Sequence, residues 1–345
     1  MRALYEPVPR LSVLMPCYNA AGTLDEALDS LAEQTLKEFE IIAVDDGSSD
    51  ETLKHLQERS LWEPRLIVLG QKHGGIIQAL NKGLKNCRSE FIARMDTDDW
   101  NYPTRFEEQL NFLQGHPHVD VVGCLVEGFP DSQVRQGFRI YIDWLNSLVT
   151  DNDIRREIFI ESPIAHPSIM VRRECLVAVG GYLDNGWAED YDLLLRLYLD
   201  GAHFGKVPNI LLKWRERPER LTRTDNRYSL ENFIRLKAHY LVRGPLANRG
   251  AVLIWGAGMV GRRLAKHLAR EGAPLSAFVD IDPRKIGRTR RGLPILPPEM
   301  LLEWWGQADH PAVLAAVGAR GARKLIRERL TGMGLKEGVD WWGVA

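Results

Sequence analysis

The chain has 345 residues, 45% hydrophobic and 26% charged, a composition of a globular protein with two domains rather than one. Its formal net charge of −1 carries no global signature of nucleic-acid binding. No apolar run approaches the length of a membrane span and the N-terminus lacks a signal-peptide core, so the cytoplasm is the expected location.

Cys17, Cys87, Cys124 and Cys175 show no CxxC spacing, and free thiols are expected rather than a zinc site. Residues 1–9, with two prolines, read as a lead-in arm. Leu11-Ser12-Val13-Leu14-Met15 is an apolar run stopped by Pro16, the pattern of a buried parallel strand. Thr23 to Glu26 match a capping box, and Leu24, Ala27, Leu28 and Leu31 follow at helical spacing. Phe39–Val44 is a second strand, ending in Asp45-Asp46-Gly47. Strand, helix, strand with such short turns is a βαβ unit and implies a parallel sheet. A helix over 52–59, a strand over 65–69 and a helix opened by Gly74-Gly75 continue the alternation.

Phe91-Ile92-Ala93-Arg94-Met95 then runs into Asp96-Thr97-Asp98-Asp99, three carboxylates within four positions. Ionised carboxylates are costly to bury unless they are paired or bind a metal. Mg²⁺ and Mn²⁺ take oxygen ligands, typically carboxylates together with substrate phosphates. A metal site at a strand end is therefore one reading, and a polar turn capping the next helix is the other. Pro103 suits the first position of that helix, and Val119–Cys124 is a further strand. In open α/β sheets ligands bind beyond the carboxyl ends of the strands, which puts Pro16, Tyr18, Asp45-Asp46 and Asp96–Asp99 along one edge.

Residues 125–165 lack clear alternation and read as a loop and a helix over the site. His166–Val171 looks like a strand with a polar start. Glu189-Asp190 open a helix, a place where acids suit the helix dipole without any catalytic duty. The charge run 215–225 reads as solvated surface. A boundary is expected near 247, giving a first domain over 1–224, a helical linker over 225–246 and a second domain over 247–345.

The second domain opens with the strand Val252–Trp255, then Gly256-Ala257-Gly258-Met259-Val260-Gly261, a GxGxxG before a helix. Asp280 ends the next strand, where a dinucleotide-binding unit carries the partner of a ribose hydroxyl. This supports a Rossmann-like fold more strongly than a bound NAD or nucleotide. Arg284, Lys285, Arg288, Arg290 and Arg291 can meet a phosphate or form a basic surface loop. The pairs Trp304-Trp305 and Trp341-Trp342 are expected to pack an interface, so a homo-oligomer stays open.

Taken together, LSVLMPCYN (11–19), Gln34-Thr35, IAVDDGSSD (42–50), Asn81-Lys82-Gly83-Leu84 and IARMDTDD (92–99) resemble a family 2 glycosyltransferase of the GT-A fold, over residues 10 to about 215. His166-Pro167-Ser168 and Glu189-Asp190 sit where bacterial polysaccharide members carry an HPS stretch and an ED pair. The resemblance implies inverting transfer of a sugar from a nucleotide diphosphate sugar to a lipid-linked or glycan acceptor. It implies Mn²⁺ or Mg²⁺ on Asp98, helped by Asp96 or Asp99, with Asp96 nearer the donor ribose. It places the base near Pro16 and Tyr18 with Asp46 accepting from it, and makes Asp190, beside Glu189, the general base. His166 is open between metal ligation, acceptor contact and a satisfied strand-end histidine. Without a membrane-embedded segment, the resemblance favours a soluble or peripherally membrane-associated enzyme adding single sugars over a processive synthase. A nucleotidyltransferase, an NAD-dependent oxidoreductase working from the second domain and an inactive binding module are the competing readings.

Overall fold

The structure, a computed structural model, describes residues 8–217 and 220–345; most of the expected lead-in arm, and Pro218-Glu219 of the charge run, lie outside the described residues. The chain divides into two compact units. The first holds residues up to 154, 163–185 and 196–220; the second holds 155–162, 186–195 and 221–345.

The first unit is built on an eight-stranded mixed sheet. Its strands are β1 (Leu11–Cys17), β2 (Phe39–Asp45), β3 (Leu66–Gly70), β4 (Phe91–Arg94), β5 (Trp100–Asn101), β6 (Val121–Phe129), β7 (Met170–Arg172) and β8 (Phe204–Arg215). They lie in the order β3-β2-β1-β4-β7-β6-β8-β5. The first four are parallel, β7 runs against both β4 and β6, and β8 is parallel to β6. Leu11, Val13 and Met15 of β1 share a core with Leu24, Leu28 and Leu31 of one helix and Phe106 and Leu110 of another. Leu14 meets the helix Ile76–Asn86 at Gly83, where a Cβ would stand 2.2 Å from Leu14 Cδ1. Burial on both faces is why β1 reads as an unbroken apolar run.

Several local expectations change. Thr23 precedes the helix Leu24–Ala32 but its side chain makes no capping bond; Oγ1 lies 3.5 Å from the Ala20 carbonyl, and Leu24 N–H turns the chain onto Ala20 instead. Pro103 stands two residues ahead of the helix Arg105–Gly115. The strand expected at 119–124 extends to Phe129 because it pairs along β8. His166–Ser168 form a 3₁₀ turn, Pro167 supplying a fixed φ, so that only Met170–Arg172 pair as strand.

The second unit holds a six-stranded sheet. Its strands are β9 (Ala251–Trp255), β10 (Leu275–Val279), β11 (Thr289–Arg290), β12 (Leu293–Leu296), β13 (Pro311–Ala315) and β14 (Trp341–Gly343), in the order β11-β12-β10-β9-β13-β14. All are parallel except β11. Gly261 is required by close packing of the helix Met259–Arg270, since a Cβ there would stand 1.9 Å from the Gly256 carbonyl oxygen. The helix Leu230–Arg243 packs on this unit: Glu231 bonds Lys266 at 2.6 Å and His267 at 2.8 Å. Buried Lys237 donates to the Ile160 and Val344 carbonyls at 3.0 and 2.9 Å. Trp341 and Trp342 are buried, and Trp341 sits in the unit's own core with Trp304 and Trp305 packed against it.

Candidate active site

The carboxyl ends of β1, β2 and β4 bring together the residues that the sequence places on one edge. Cys17 is in register with Asp45, and Asp46 N–H donates to the Cys17 carbonyl at 2.8 Å. Leu14 pairs with Arg94, and Met95 N–H donates to Leu14 at 3.1 Å, so Asp96 begins where the parallel strands end.

Asp96, Asp98 and Asp99 converge there, each offering an oxygen within 4.8 Å of the others. Three carboxylates this close need compensation. Buried Arg94 donates to Asp96 Oδ1 at 2.6 Å and to the Met95 carbonyl. Arg215 donates its backbone N–H to Asp99 Oδ1 at 2.8 Å and its Nε to the Asp98 carbonyl at 2.6 Å. Arg217 Nε lies 2.9 Å from Asp98 Oδ2, a charge contact without hydrogen-bond alignment. Arg105, fully buried, donates to the Arg94 carbonyl at 3.0 Å and fixes the strand end from behind.

The charges separate accordingly. Burial, the largest influence, works to raise Asp96, but the charge and hydrogen bond of Arg94, joined by weaker positive neighbours, together hold the carboxyl below its usual range. Burial and then the Asp96 charge push Asp98 up; burial and then Asp98 and Asp96 push Asp99 well up. Asp99 Oδ2 is buried with no hydrogen-bond partner among the described residues. Converging oxygens, an orphaned buried carboxylate oxygen and an all-oxygen donor set fit a hard divalent cation.

Asp46 is buried and fully engaged. Gln71 Nε2 and Gly74 N–H donate to Oδ1 at 2.6 and 2.9 Å, Gly75 N–H donates to Oδ2 at 2.8 Å, and His73 Nδ1 lies 2.9 Å from Oδ2. The expectation that it accepts from a nucleobase thus gives way, in this conformation, to ordering the 71–75 loop. Tyr18, 48% exposed, stacks on His73 with ring centroids 4.3 Å apart, a flat ledge beside Pro16. Asp45 holds its own turn, its Oδ2 accepting from the Gly47 and Ser48 N–H groups. His166 is buried and bonded through Nε2 to the Tyr182 hydroxyl at 2.9 Å. Burial pushes it down to about 3, which keeps it neutral, and it is not among the three groups that converge.

Glu189 and Asp190 open the helix Glu189–Leu199 in unlike settings. Glu189 is buried and receives the Tyr228 hydroxyl at 2.7 and 2.8 Å from its two oxygens. Burial, then the Asp190 charge, push it up to about 7. Asp190 is half-buried and accepts Tyr191 N–H at 2.7 Å. Asp192, fully buried, fixes the helix by accepting from Trp187 Nε1 at 2.6 Å and the Tyr240 hydroxyl at 2.7 Å.

The family model described as "Glycosyl transferase family 2" matches residues 12–179. The amylovoran biosynthesis glycosyltransferase AmsE of Erwinia amylovora is 34% identical over 209 residues, covering 59% of this chain and 75% of that protein. The chain belongs to glycosyltransferase family 2. The UDP-Gal:α-D-GlcNAc-diphosphoundecaprenol β-1,3-galactosyltransferase of Escherichia coli is 28% identical over 215 residues, 61% of this chain and 75% of that one. Among solved structures, S. aureus TarS 1-349 in complex with UDP-GlcNAc superposes with a TM-score of 0.57 at 23% identity, covering 76% of this chain and 72% of that one. That likeness concerns the fold, which is the GT-A fold expected from the sequence.

For a family 2 glycosyltransferase, the acidic stretch at the end of β4 is the part the sequence reading found. The residues it missed are the counter-charges. Arg215 and Arg217 come from the charge run expected to be solvated; instead they close on Asp98 and Asp99, and Glu216 beside them is buried. No sequence signal links 98 to 217, although a basic run after an acidic one leaves that pairing available. Tyr228 was likewise unmarked.

In the second unit, Gly256 and Gly258 form the expected turn between β9 and its helix, and Gly261 lies in the first turn of that helix. Asp280 does not stand ready for a ribose: Ala257 N–H and Lys285 Nζ take Oδ2 at 2.9 and 3.0 Å, and Asp282 N–H takes Oδ1 at 2.9 Å. The geometry supports the Rossmann-like fold and lends nothing to an NAD site. No helix of the described residues is long and apolar enough to cross a membrane.

Proposed function

We propose that this family 2 glycosyltransferase is an inverting, metal-dependent enzyme that moves a sugar from a nucleotide diphosphate sugar to a hydroxyl of a lipid-linked or polysaccharide acceptor. The single observation that carries the reading is the convergence of Asp96, Asp98 and Asp99 with a buried unpaired oxygen at the end of β4. Asp98, with Asp96 or Asp99, would hold Mn²⁺ or Mg²⁺, which when bound supplies positive charge to the departing diphosphate. Arg217 adds a cation beside Asp98. Tyr18 and Pro16 offer the base an apolar ledge.

In the transfer, the acceptor oxygen bonds to the anomeric carbon as the bond from that carbon to the phosphate oxygen breaks. The acceptor proton passes to a carboxylate, and the nucleoside diphosphate leaves with the electron pair. We assign that carboxylate to Asp190, following the family resemblance at the ED pair; the family match at 12–179 ends before it. Its half-buried setting supports the choice over Glu189, whose oxygens are held by Tyr228. The E. coli relative's name supports a lipid-linked acceptor, and hence peripheral contact with a membrane. We place the transferase domain at 1–224, the connecting helix at 225–246 and the Rossmann-like domain at 247–345.

Mn²⁺-dependent donor hydrolysis and sugar transfer, measured on Asp98→Ala and Asp190→Asn, test this. Asp98→Ala loses both activities; Asp190→Asn loses transfer. Full metal-dependent hydrolysis in Asp98→Ala would refute the metal assignment.

A further inference from the structure

Positive charge gathers on one stretch of the second unit. Residues 259–291 hold nine Lys and Arg against three Asp and Glu, in a chain whose formal net charge is −1. The fold makes this stretch continuous. Lys285 Nζ donates to Asp280 Oδ2 at 3.0 Å, and the same oxygen accepts Ala257 N–H at 2.9 Å, which ties the loop after β10 to the turn ahead of the helix Met259–Arg270. Ile295 N–H donates to the Arg288 carbonyl at 2.9 Å, and Arg291 Nε donates to the Arg262 carbonyl at 2.9 Å, which lays the β11–β12 hairpin against the start of that helix.

Elsewhere arginines meet acids, as Arg59 meets Asp29 and Arg327 meets Glu157. Here that balance fails. Arg262, Arg290 and Arg291 donate only to backbone carbonyls, and no acid lies within ion-pair distance of these three or of Arg288 among the described residues. All four are exposed. Beside them two apolar side chains face water, Met259 at 54% and Ile281 at 71% exposure, on the two segments that the bond between Asp280 and Ala257 joins.

We propose that this face of the second unit docks on an anionic lipid bilayer, its arginines meeting headgroup phosphates while Met259 and Ile281 enter the interface. Uncompensated basic residues are drawn to an anionic leaflet, and apolar side chains among them add burial at the boundary with the acyl chains. Exposed arginines spread over a loop, a hairpin and a helix suit a plane of phosphates better than one enclosed anion. Nucleic acid also offers phosphates, but it gives no place to two exposed aliphatic side chains. The inference rests on the lipid-linked acceptor of the proposed function: such an acceptor lies in a membrane, and no helix of the described residues is long and apolar enough to cross one.

The test is flotation of the full chain with vesicles of phosphatidylcholine alone and of phosphatidylcholine mixed equally with phosphatidylglycerol, with binding to polyuridylate measured alongside. The expected result is binding to the mixed vesicles only, weakening as NaCl is added. Each basic residue near an anionic surface is worth about fivefold in affinity, so the triple variant Arg288→Gln, Arg290→Gln, Arg291→Gln binds about a hundredfold more weakly. Ile281→Ser, which leaves the charge alone, weakens binding severalfold, while Lys324→Gln on another helix of the same unit leaves it intact. Because the readout is binding rather than turnover, Asp98→Ala floats as the wild type does, which separates this proposal from the metal assignment. No flotation with the mixed vesicles, equal flotation with both vesicles, binding unchanged in the triple variant, or binding to polyuridylate without flotation would overturn the proposal.

Discussion

Replacing Tyr228 with Phe removes one hydroxyl from the buried carboxylate of Glu189 and leaves the ring in place. The hydroxyl stands 2.7 and 2.8 Å from the two Glu189 oxygens. A hydrogen bond to a charged group contributes about 1.5–3 kcal/mol and one to a neutral group about 1 kcal/mol; the difference, at about 1.4 kcal/mol per pH unit, moves a pKa by roughly 0.5–1.5 units. Burial and the Asp190 charge already push Glu189 up to about 7, and the variant carries it further up. The sign follows from linkage. With a folded-state pKa above the unfolded one, the folded chain binds the extra proton between the two values, and stability falls as pH rises through that window. In Tyr228→Phe the window reaches further up, so the variant loses about 1 kcal/mol near pH 5.5 and about 1.5–3 kcal/mol near pH 9. Urea unfolding at the two pH values reads this directly. The pH–rate profile reads it a second way: Glu189 stays protonated to higher pH, and the limb belonging to Glu189 moves alkaline. Equal destabilisation at both pH values and an unshifted profile would refute the pairing of Tyr228 with an ionising Glu189.

Lys206 is buried, donates to the Leu145 carbonyl, and is pushed by burial down to about 7. Its folded pKa lies below the unfolded one, so its contribution to stability rises with pH between about 7 and 10.5. The wild type should gain on the order of 2 kcal/mol from this group between pH 7.5 and 9, and Lys206→Met should lack that gain; parallel urea curves for the two proteins at both pH values would contradict it. Asp46→Asn should weaken nucleoside diphosphate binding about tenfold, the loss of roughly one charge-assisted hydrogen bond, because it frees the 71–75 loop and the His73 beneath Tyr18. An unchanged dissociation constant in calorimetry would count against that role.

Much of the first unit was legible because its central strands are buried on both faces. β1, β2 and β4 appear as apolar runs, and each run stops where the chain meets the ligand edge, at Pro16, Asp45 and Asp96. The GxGxxG turn was legible for a similar reason, since the close approach of Gly261 to Gly256 permits no side chain. What stayed hidden was compensation over long separations. Arg217 meets Asp98, and Arg215 meets Asp99, across more than a hundred residues, and a basic run looks the same whether it faces water or three carboxylates. The family resemblance placed Asp46 against the base; only the fold shows that Gln71, His73, Gly74 and Gly75 use its oxygens. Asp190 and Glu189 are adjacent acids in the sequence and separate only through burial and Tyr228.

The division of labour between Asp98 and Asp190 is the central claim, and calorimetric titration of Asp190→Asn with a nucleoside diphosphate in Mn²⁺ tests it most directly, with Asp98→Asn run as the paired control. The account predicts metal-dependent binding in Asp190→Asn equal to wild type, and its loss in Asp98→Asn. Binding lost in Asp190→Asn but retained in Asp98→Asn would contradict it.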